Sequence, residues 1–110
     1  PGDYSPSSRF VKAAYLLLNS VCDKDDSSSL AQLFHLLDSV SIVKGSVLSQ
    51  RDACDMTTYA CCINATKGIY YYKTYTNSQF TAVNLRHENL NASTLRIFPL
   101  SISQQIAWAN

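Results

Sequence analysis

The sequence predicts an α+β fold, in which two helices precede an antiparallel sheet. Apolar residues recur at helical spacing in the first part of the chain, and three short runs rich in β-branched and aromatic residues follow Met56. Short loops containing Gly or Asn separate these runs, which indicates hairpins. A chain of 110 residues has room for one domain at most.

The first helix is predicted over residues 6–21. Ser5 supplies a capping hydroxyl, and Pro6 stands at the first helical position, where its missing N–H is no loss. Apolar side chains then recur at helical spacing, namely Phe10, Ala13, Ala14, Leu17, Leu18 and Val21. Further apolar residues occupy the remaining face, which is typical of a helix that is covered on more than one side.

The acidic, Ser-rich segment 22–29 is predicted to be a loop whose end offers a choice of N-caps for the second helix. Its apolar stripe consists of Leu30, Leu33, Phe34, Leu37 and Val40. Lys44 and Gly45 are expected to close it as a last-turn cation and a C′ glycine. His35 lies off the stripe and is expected to be exposed.

The strands are predicted over residues 57–63, 69–75 and 80–85, with an irregular connection over 46–56 before them. An edge strand is expected over 94–100, and the tail is expected to dock through Ile102, Ile106 and Trp108. Tyr70 and Tyr72 point to one face of the sheet and Tyr71 to the other, so both faces need cover. Two helices can cover one face only, which suggests that part of the layered structure is missing.

Composition excludes several classes of partner. A net charge of +1, with 15% charged residues, gives no long-range field to attract nucleic acid or anionic lipid. The apolar runs are far shorter than the roughly 20 residues that span a bilayer. No charged leader with a cleavage site is present. We therefore expect a cytoplasmic protein without nucleic-acid or membrane partners.

The cysteines and histidines do not predict a metal or cofactor site. Cys61 and Cys62 are adjacent, and in a strand they point to opposite faces. His35 and His87 are isolated and lack the spacing of paired ligands. We expect free thiols, no cofactor and no bound metal.

Four segments carry a resemblance to a known family. They are the N-terminal PGDYSPSSRF at residues 1–10, the helix segment 33–45, the tyrosine-rich GIYYYKTYTNSQ at 68–79 and the stretch 88–100. The family has similar segments in the same order. Together they resemble the choloylglycine hydrolase family, which comprises the bile salt hydrolases and penicillin V acylases. The resemblance covers nearly the whole chain.

The resemblance implies the αββα sandwich of N-terminal-nucleophile hydrolases, with residues 1–110 as a single partial domain, the C-terminal third of the family's domain. It implies a bacterial thiol amidohydrolase that cleaves glycine- or taurine-conjugated bile acids and forms a homo-oligomer. The family's nucleophile is an N-terminal cysteine, whereas the first cysteine of this chain is Cys22. We therefore expect the chain alone to be inactive.

The resemblance assigns one catalytic residue, Arg9, which matches the arginine of the family's Ser-Arg-Phe segment beside the nucleophilic thiolate. A guanidinium is always protonated, and a fixed cation nearby favours thiolate over thiol. Arg9 also falls in the first turn of the predicted helix, where the macrodipole disfavours a cation. The alternative is an ordinary solvated arginine.

Three further interpretations remain open at this point. The parent protein could be a penicillin V acylase-like amidase instead of a bile salt hydrolase. The chain as given could be a catalytically inert scaffold. Pro1 could serve as a base or nucleophile through a free secondary amine, as in tautomerases, although Pro1-Gly2 matches an internal segment of the family.

Overall fold

The computed structural model describes residues 3–49 and 53–110, which divide into two compact units after Thr57. The first unit contains helices α1 (Pro6–Asn19) and α2 (Asp26–Asp38) and the strands β1 (Val47–Leu48) and β2 (Cys54–Asp55). The second contains strands β3 (Tyr59–Asn64), β4 (Ile69–Thr74) and β5 (Asn77–Asn84) and a 3₁₀ helix (Leu85–His87). The predicted α+β class is confirmed. No helix in the described residues has the length and apolarity needed to cross a membrane.

Helix α1 begins at the predicted Pro6 but ends at Asn19, before the predicted end. The Asn19 side-chain amide donates to the Tyr15 carbonyl at 2.8 Å, and the Ser20 hydroxyl donates to the Leu17 carbonyl at 3.2 Å. The Leu17 carbonyl is one that another helical turn would have bonded, so the Ser20 hydroxyl takes the place of that bond. The backbone becomes extended at Ser20, which ends the helix.

Helix α2 begins earlier and ends earlier than the sequence predicts. The Asp25 carboxylate is its N-cap and accepts from the Ser28 N–H at 2.9 Å, an arrangement that the helix dipole also favours. The helix ends at Asp38, because serine hydroxyls in the next residues bond back to its last carbonyl oxygens. The predicted closure by Lys44 and Gly45 is therefore wrong. Gly45 adopts a φ of +98° in a turn before β1.

The interior of the first unit is small. Phe34, on the predicted stripe of α2, is 1% exposed, and the other leucines of that stripe are half-buried. Helix α1 has no buried residue, and its Phe10 and Leu18 are 73% and 83% exposed. Both helices of this unit thus retain apolar surface in contact with solvent.

The predicted irregular connection over 46–56 contains a short antiparallel ladder. Val47 pairs with Asp55, and Leu48 pairs with Cys54. Residues 50–52 of the predicted connection lie outside the described residues. This part of the sequence prediction was wrong, because two-residue strands carry too few side chains to show an alternating pattern.

The three strands of the second unit form the predicted antiparallel meander, in the order β3-β4-β5. Tyr72 at the centre pairs with Cys61 on one side and with Thr81 on the other. Strand alternation places Tyr70 and Tyr72 on one face and Tyr71 on the other, as the sequence predicts.

The two hairpin loops differ in length. In the first, Gly68 adopts a φ of +66°, a conformation that favours glycine, and its N–H donates to the Asn64 carbonyl at 2.8 Å. The second contains only Tyr75 and Thr76, so β5 begins at Asn77 and not at residue 80. Asn77 and the next two residues resemble loop residues in the sequence, but two of their polar groups bond to the C-terminal tail.

The predicted edge strand over 94–100 is not formed. Residues 94–100 belong to no ladder among the described residues, and Leu95 and Ile97 are 86% and 75% exposed. Pro99 has no N–H to contribute to such a ladder.

The C-terminal tail does dock on the sheet, but not through the predicted side chains. The Ser101 N–H donates to the Tyr72 hydroxyl at 3.0 Å, and the Gln105 N–H donates to the Asn77 side chain at 3.3 Å. Asn77 itself is 1% exposed. The predicted anchors are all mostly exposed: Ile102, Ile106 and Trp108. Backbone hydrogen bonds, which leave no hydrophobic pattern in a sequence, hold this tail.

Candidate active site

An open groove of about 520 Å³ lies in the first unit, between the start of α1 and the turn that follows α2. Two cations, Arg9 and Lys12, line it together with the aromatic rings of Tyr4 and Tyr15. The turn after α2 contributes hydroxyl groups, including that of Ser41. The predicted site residue Arg9 thus lies on the wall of a concave, partly cationic surface.

The residues before Arg9 build the start of the helix that presents it. The Asp3 carboxylate accepts from the Ser5 N–H at 2.8 Å, and the Ser5 hydroxyl accepts from the Ser8 N–H at 3.3 Å. The hydrogen bonds from Ser5 lower the pKa of Asp3 below its ordinary value. These two hydrogen bonds fix the first turn of α1, in which the Arg9 N–H donates to the Ser5 carbonyl at 3.0 Å.

The Arg9 side chain is half-buried and is held by a backbone carbonyl distant in sequence. Its Nε donates to the Val40 carbonyl oxygen at 2.9 Å. Within residues 3–49 and 53–110, no hydrogen bond engages the terminal Nη1 and Nη2 atoms. Because the guanidinium is planar, the Nε bond restricts the plane in which these two donors lie. They remain available to an anion in the groove.

The charge of Arg9 stands at an unfavourable place on α1. With Ser5 as N-cap, Arg9 is the fourth residue of the helix, where the positive end of the macrodipole disfavours a cation. Val40 lies just beyond α2, where the negative end of the other dipole is located. The contact between Arg9 and Val40 therefore offsets part of the repulsion from α1.

The cysteines are not among the residues that line this groove. All four are in the described part of the chain and are free: Cys22, Cys54 and Cys61 are exposed, and Cys62 is half-buried. Burial raises the pKa of the Cys62 thiol, and the neighbouring Cys61 adds to this effect. Among the described residues, no group of three or more His, Cys, Asp or Glu side chains is placed to bind a metal ion.

The sequence analysis also considered His35 and Pro1. His35 is exposed, as predicted, and lines a second, smaller groove of about 280 Å³ between the two helices. Pro1 lies outside the described residues.

Sequence reasoning predicted Arg9 as a site residue but did not predict its hydrogen-bond partner. The acceptor is the main-chain carbonyl of Val40, and a carbonyl group is common to every residue type. The sequence instead placed Val40 on the apolar stripe of a longer helix, in which that carbonyl would have bonded to a later N–H. A signal was nevertheless present in Ser39 and Ser41, since serine favours helix ends over helix interiors.

The fold places this chain among the N-terminal-nucleophile hydrolases. More specifically, the sequence profile of the linear amide C–N hydrolases, choloylglycine hydrolase family, matches residues 1–98, and the chain belongs to that family.

The curated relatives that the chain matches are named as bile salt or bile acid hydrolases. A bile salt hydrolase/transferase from Lactiplantibacillus plantarum is 43% identical over 105 residues, which are 96% of this chain and 32% of the relative. A bile salt hydrolase/transferase from Clostridium perfringens is 36% identical over 110 residues, which are 100% of this chain and 33% of the relative. The chain thus spans about a third of the length of the curated relatives it matches.

Solved structures agree in fold. A mutant conjugated bile acid hydrolase from Clostridium perfringens matches with a TM-score of 0.89 and 33% identity, over 100% of this chain and 33% of that one. A penicillin V acylase from Agrobacterium tumefaciens matches with a TM-score of 0.66 and 17% identity, over 78% of this chain and 27% of that one. The second likeness concerns the fold alone.

Proposed function

We propose that the protein to which these residues belong is a bile salt hydrolase, a thiol amidohydrolase that cleaves the amide bond of glycine- or taurine-conjugated bile acids. The observation that carries this proposal is the family match over residues 1–98, together with relatives named as bile salt hydrolases at 43% and 36% identity. Because the chain spans about a third of those relatives, the activity belongs to a longer polypeptide.

In this proposal residues 1–110 are a single partial domain, the C-terminal third of the hydrolase domain. The nucleophilic cysteine and the oxyanion donors lie in the other part, so this chain alone is a catalytically inert scaffold. In the complete enzyme the thiolate attacks the amide carbonyl carbon, the amine of glycine or taurine leaves with a proton, and water hydrolyses the thioester.

Arg9 is the catalytic residue that this chain contributes. Its terminal nitrogens face the groove and hold the nucleophilic sulfur as thiolate, since a nearby fixed cation favours the charged form. Support comes from its half-buried position, its anchoring to Val40 at 2.9 Å and its unfavourable place on α1. A solvated surface arginine needs none of these features.

The partners proposed are a conjugated bile acid as small-molecule substrate and further copies of the complete enzyme in a homo-oligomer. The bacterial cytoplasm is the proposed location. The relatives are bacterial, and all four cysteines are free, which suits a reducing compartment.

Penicillin V is the second candidate substrate. The resemblance to the choloylglycine hydrolase family leaves it open, because that family comprises penicillin V acylases as well, whereas the likeness to the solved penicillin V acylase at 17% identity concerns the fold alone. Purified full-length enzyme should release glycine from glycocholate and taurine from taurocholate faster than it cleaves penicillin V. A higher kcat/KM for penicillin V would favour the second candidate, and no cleavage of any of the three would contradict the amidase proposal.

A further inference from the structure

The Val40 carbonyl can orient Arg9 only if the turn that carries it is rigid. On its helical side this turn is bonded back to the last residues of α2. The Val40 N–H donates to the Leu37 carbonyl at 3.2 Å, and the Ser41 hydroxyl donates to the same oxygen at 3.3 Å. The Ser41 N–H donates to the Asp38 carbonyl at 3.1 Å.

On its other side the turn is held by one residue near the end of the first unit. The Ile42 N–H donates to the Thr57 hydroxyl oxygen at 2.8 Å, and the Thr57 N–H donates to the Ile42 carbonyl at 3.0 Å. The first of these bonds requires the Thr57 side chain, whereas the second uses backbone alone. Both residues are half-buried.

We infer that Thr57 is a positioning residue for Arg9, acting through Ile42 and the Val40 carbonyl. The inference rests on the proposed function, in which Arg9 stabilises the thiolate. The hydrogen bonds run from Thr57 to Ile42, and Val40 precedes Ile42 by two residues in the same turn. Losing the Thr57 hydroxyl leaves the Ile42 N–H without this acceptor. The end of the turn is then held less firmly, and so is the guanidinium plane that the Val40 carbonyl orients.

The effect on catalysis follows from geometry. An arginine that has lost its fixed acceptor still carries its charge, but its donors point at the sulfur for only part of the time. Displacements of about 1 Å in a positioned catalytic group are enough to lower rates strongly. The thiolate should therefore be less stabilised, and kcat should fall more than substrate binding does.

The experiment compares three variants of the full-length enzyme. Thr57→Val removes the hydroxyl but keeps the shape of the side chain, and Thr57→Ser restores the hydroxyl. Thr58→Val is the matched control, since Thr58 is the exposed neighbour. Each variant is measured for kcat, KM and the pH dependence of iodoacetamide alkylation of the nucleophilic cysteine, alone and combined with Arg9→Ala.

Thr57→Val should lower kcat at least about threefold with KM within about twofold, and it should move the alkylation midpoint at least about 0.5 pH unit upward. Thr57→Ser and Thr58→Val should behave like the wild type. In the Arg9→Ala background Thr57→Val should have no further effect on the midpoint, because both changes act through one group.

Two failures can be told apart. If Arg9→Ala leaves the midpoint unchanged, the proposed role of Arg9 is wrong and the inference is overturned with it. Two other results overturn only the inference. In the first, Arg9→Ala moves the alkylation midpoint but Thr57→Val gives the same midpoint as the control Thr58→Val. In the second, Thr57→Val moves the midpoint as far in the Arg9→Ala background as it does in the wild type.

Should Thr57→Val not fold, proton exchange at the Arg9 Nε decides the question in the wild type and in Thr57→Ser. Nε–H exchange slower than that of the exposed Arg96 in both proteins supports a held guanidinium. Exchange as fast as that of Arg96 overturns the inference.

Discussion

Arg9 has two kinds of donor with separate tasks. Its Nε bonds to the Val40 carbonyl, and its terminal nitrogens are the donors that we propose for the anion in the groove that Arg9 lines. A lysine could supply the charge but not both contacts, because a single ammonium on a flexible stem lacks the planar fork. The identity of the residue therefore matters as much as its charge.

Arg9→Ala in the full-length enzyme should raise the pKa of the nucleophilic thiol and cut turnover by orders of magnitude, and Arg9→Lys should recover part of the loss. Lys12→Ala is the control, since Lys12 lines the same groove one turn further along α1. Alkylation rate against pH reports the thiol pKa directly. If Arg9→Ala stays within about twofold of the wild type, a difference under about 0.5 kcal/mol, Arg9 is only a solvated first-turn residue.

The ionisation of Tyr70 makes the stability of the sheet depend on pH. A hydrogen bond with Cys61, followed by burial, raises the pKa of Tyr70 to about 12. The folded state thus favours the neutral phenol, so this contribution to stability is complete below about pH 10 and is lost as the pH rises towards 12.

Phenolate absorbance at 295 nm should show one tyrosine titrating near pH 12. Cys61→Ala should move that titration towards about pH 10, the ordinary value for tyrosine. Cys54→Ala, which changes an exposed cysteine of the other unit, should leave it in place. An unchanged high-pH titration in Cys61→Ala would show that Cys61 is not the cause.

At the scale of elements, the ends of the helices were harder to predict than their existence. Apolar spacing identified both helices because it samples many residues at once. The start of α2 depends on which of several polar residues caps it. In the structure the cap is Asp25, whose carboxylate accepts from the Ser28 N–H at 2.9 Å. The end of α2 depends on hydroxyl-to-carbonyl bonds that involve side chains common in loops as well.

In the sheet, too, the features that follow from a residue pattern were predicted, and those that depend on tertiary contacts were not. The tyrosine-rich run predicted β4 and its two faces, because aromatic residues favour strands and alternate across them. The polar start of β5 was missed, since Asn77 reads as a turn residue until its bonds to Ser101 are known. In the candidate site, the family segment predicted Arg9, whereas the roles proposed for Val40 and Thr57 depend on tertiary contacts that no sequence pattern shows.

Asn77 should be a stability determinant of the second unit. It is 1% exposed, and its side chain bonds to Ser101, Gln79 and Gln105. Asn77→Ala removes these hydrogen bonds of a buried side chain and should lower the free energy of unfolding by about 1–3 kcal/mol. Urea unfolding measures this.

The matched control for Asn77→Ala is Asn89→Ala, which removes an exposed side chain that accepts a hydrogen bond from the nearby Asn91 N–H. Amide exchange at Gln105 should accelerate in Asn77→Ala and not in the control. Equal losses of stability in the two variants would mean that the tail is not held through Asn77.

At the scale of the whole molecule, apolar surface exceeds what two small units can bury. In α1, Phe10 and Leu18 are 73% and 83% exposed, and in the sheet Ile63 and Tyr59 are 69% and 54% exposed. Soluble monomers rarely expose large apolar patches, and exposed apolar side chains on both units are typical of surfaces that another part of a protein covers. The proposed remainder of the enzyme would cover these residues.

The 110-residue chain by itself should therefore bind hydrophobic dyes and aggregate without a defined size, while the full-length enzyme should bind no dye and sediment as a single species of defined size. Dye fluorescence and sedimentation at matched concentrations compare the two. A sharp, cooperative thermal transition of a dilute monomeric chain without dye binding would show that its layers are complete.

The most direct test measures glycine release from glycocholate by a chimera, in which residues 1–110 replace the matched third of the Clostridium perfringens relative. The chimera should release glycine, the chain alone should not, and Arg9→Ala in the chimera should abolish most of the activity. Glycine release by the isolated chain, or a folded chimera equally active with and without Arg9, would contradict the account.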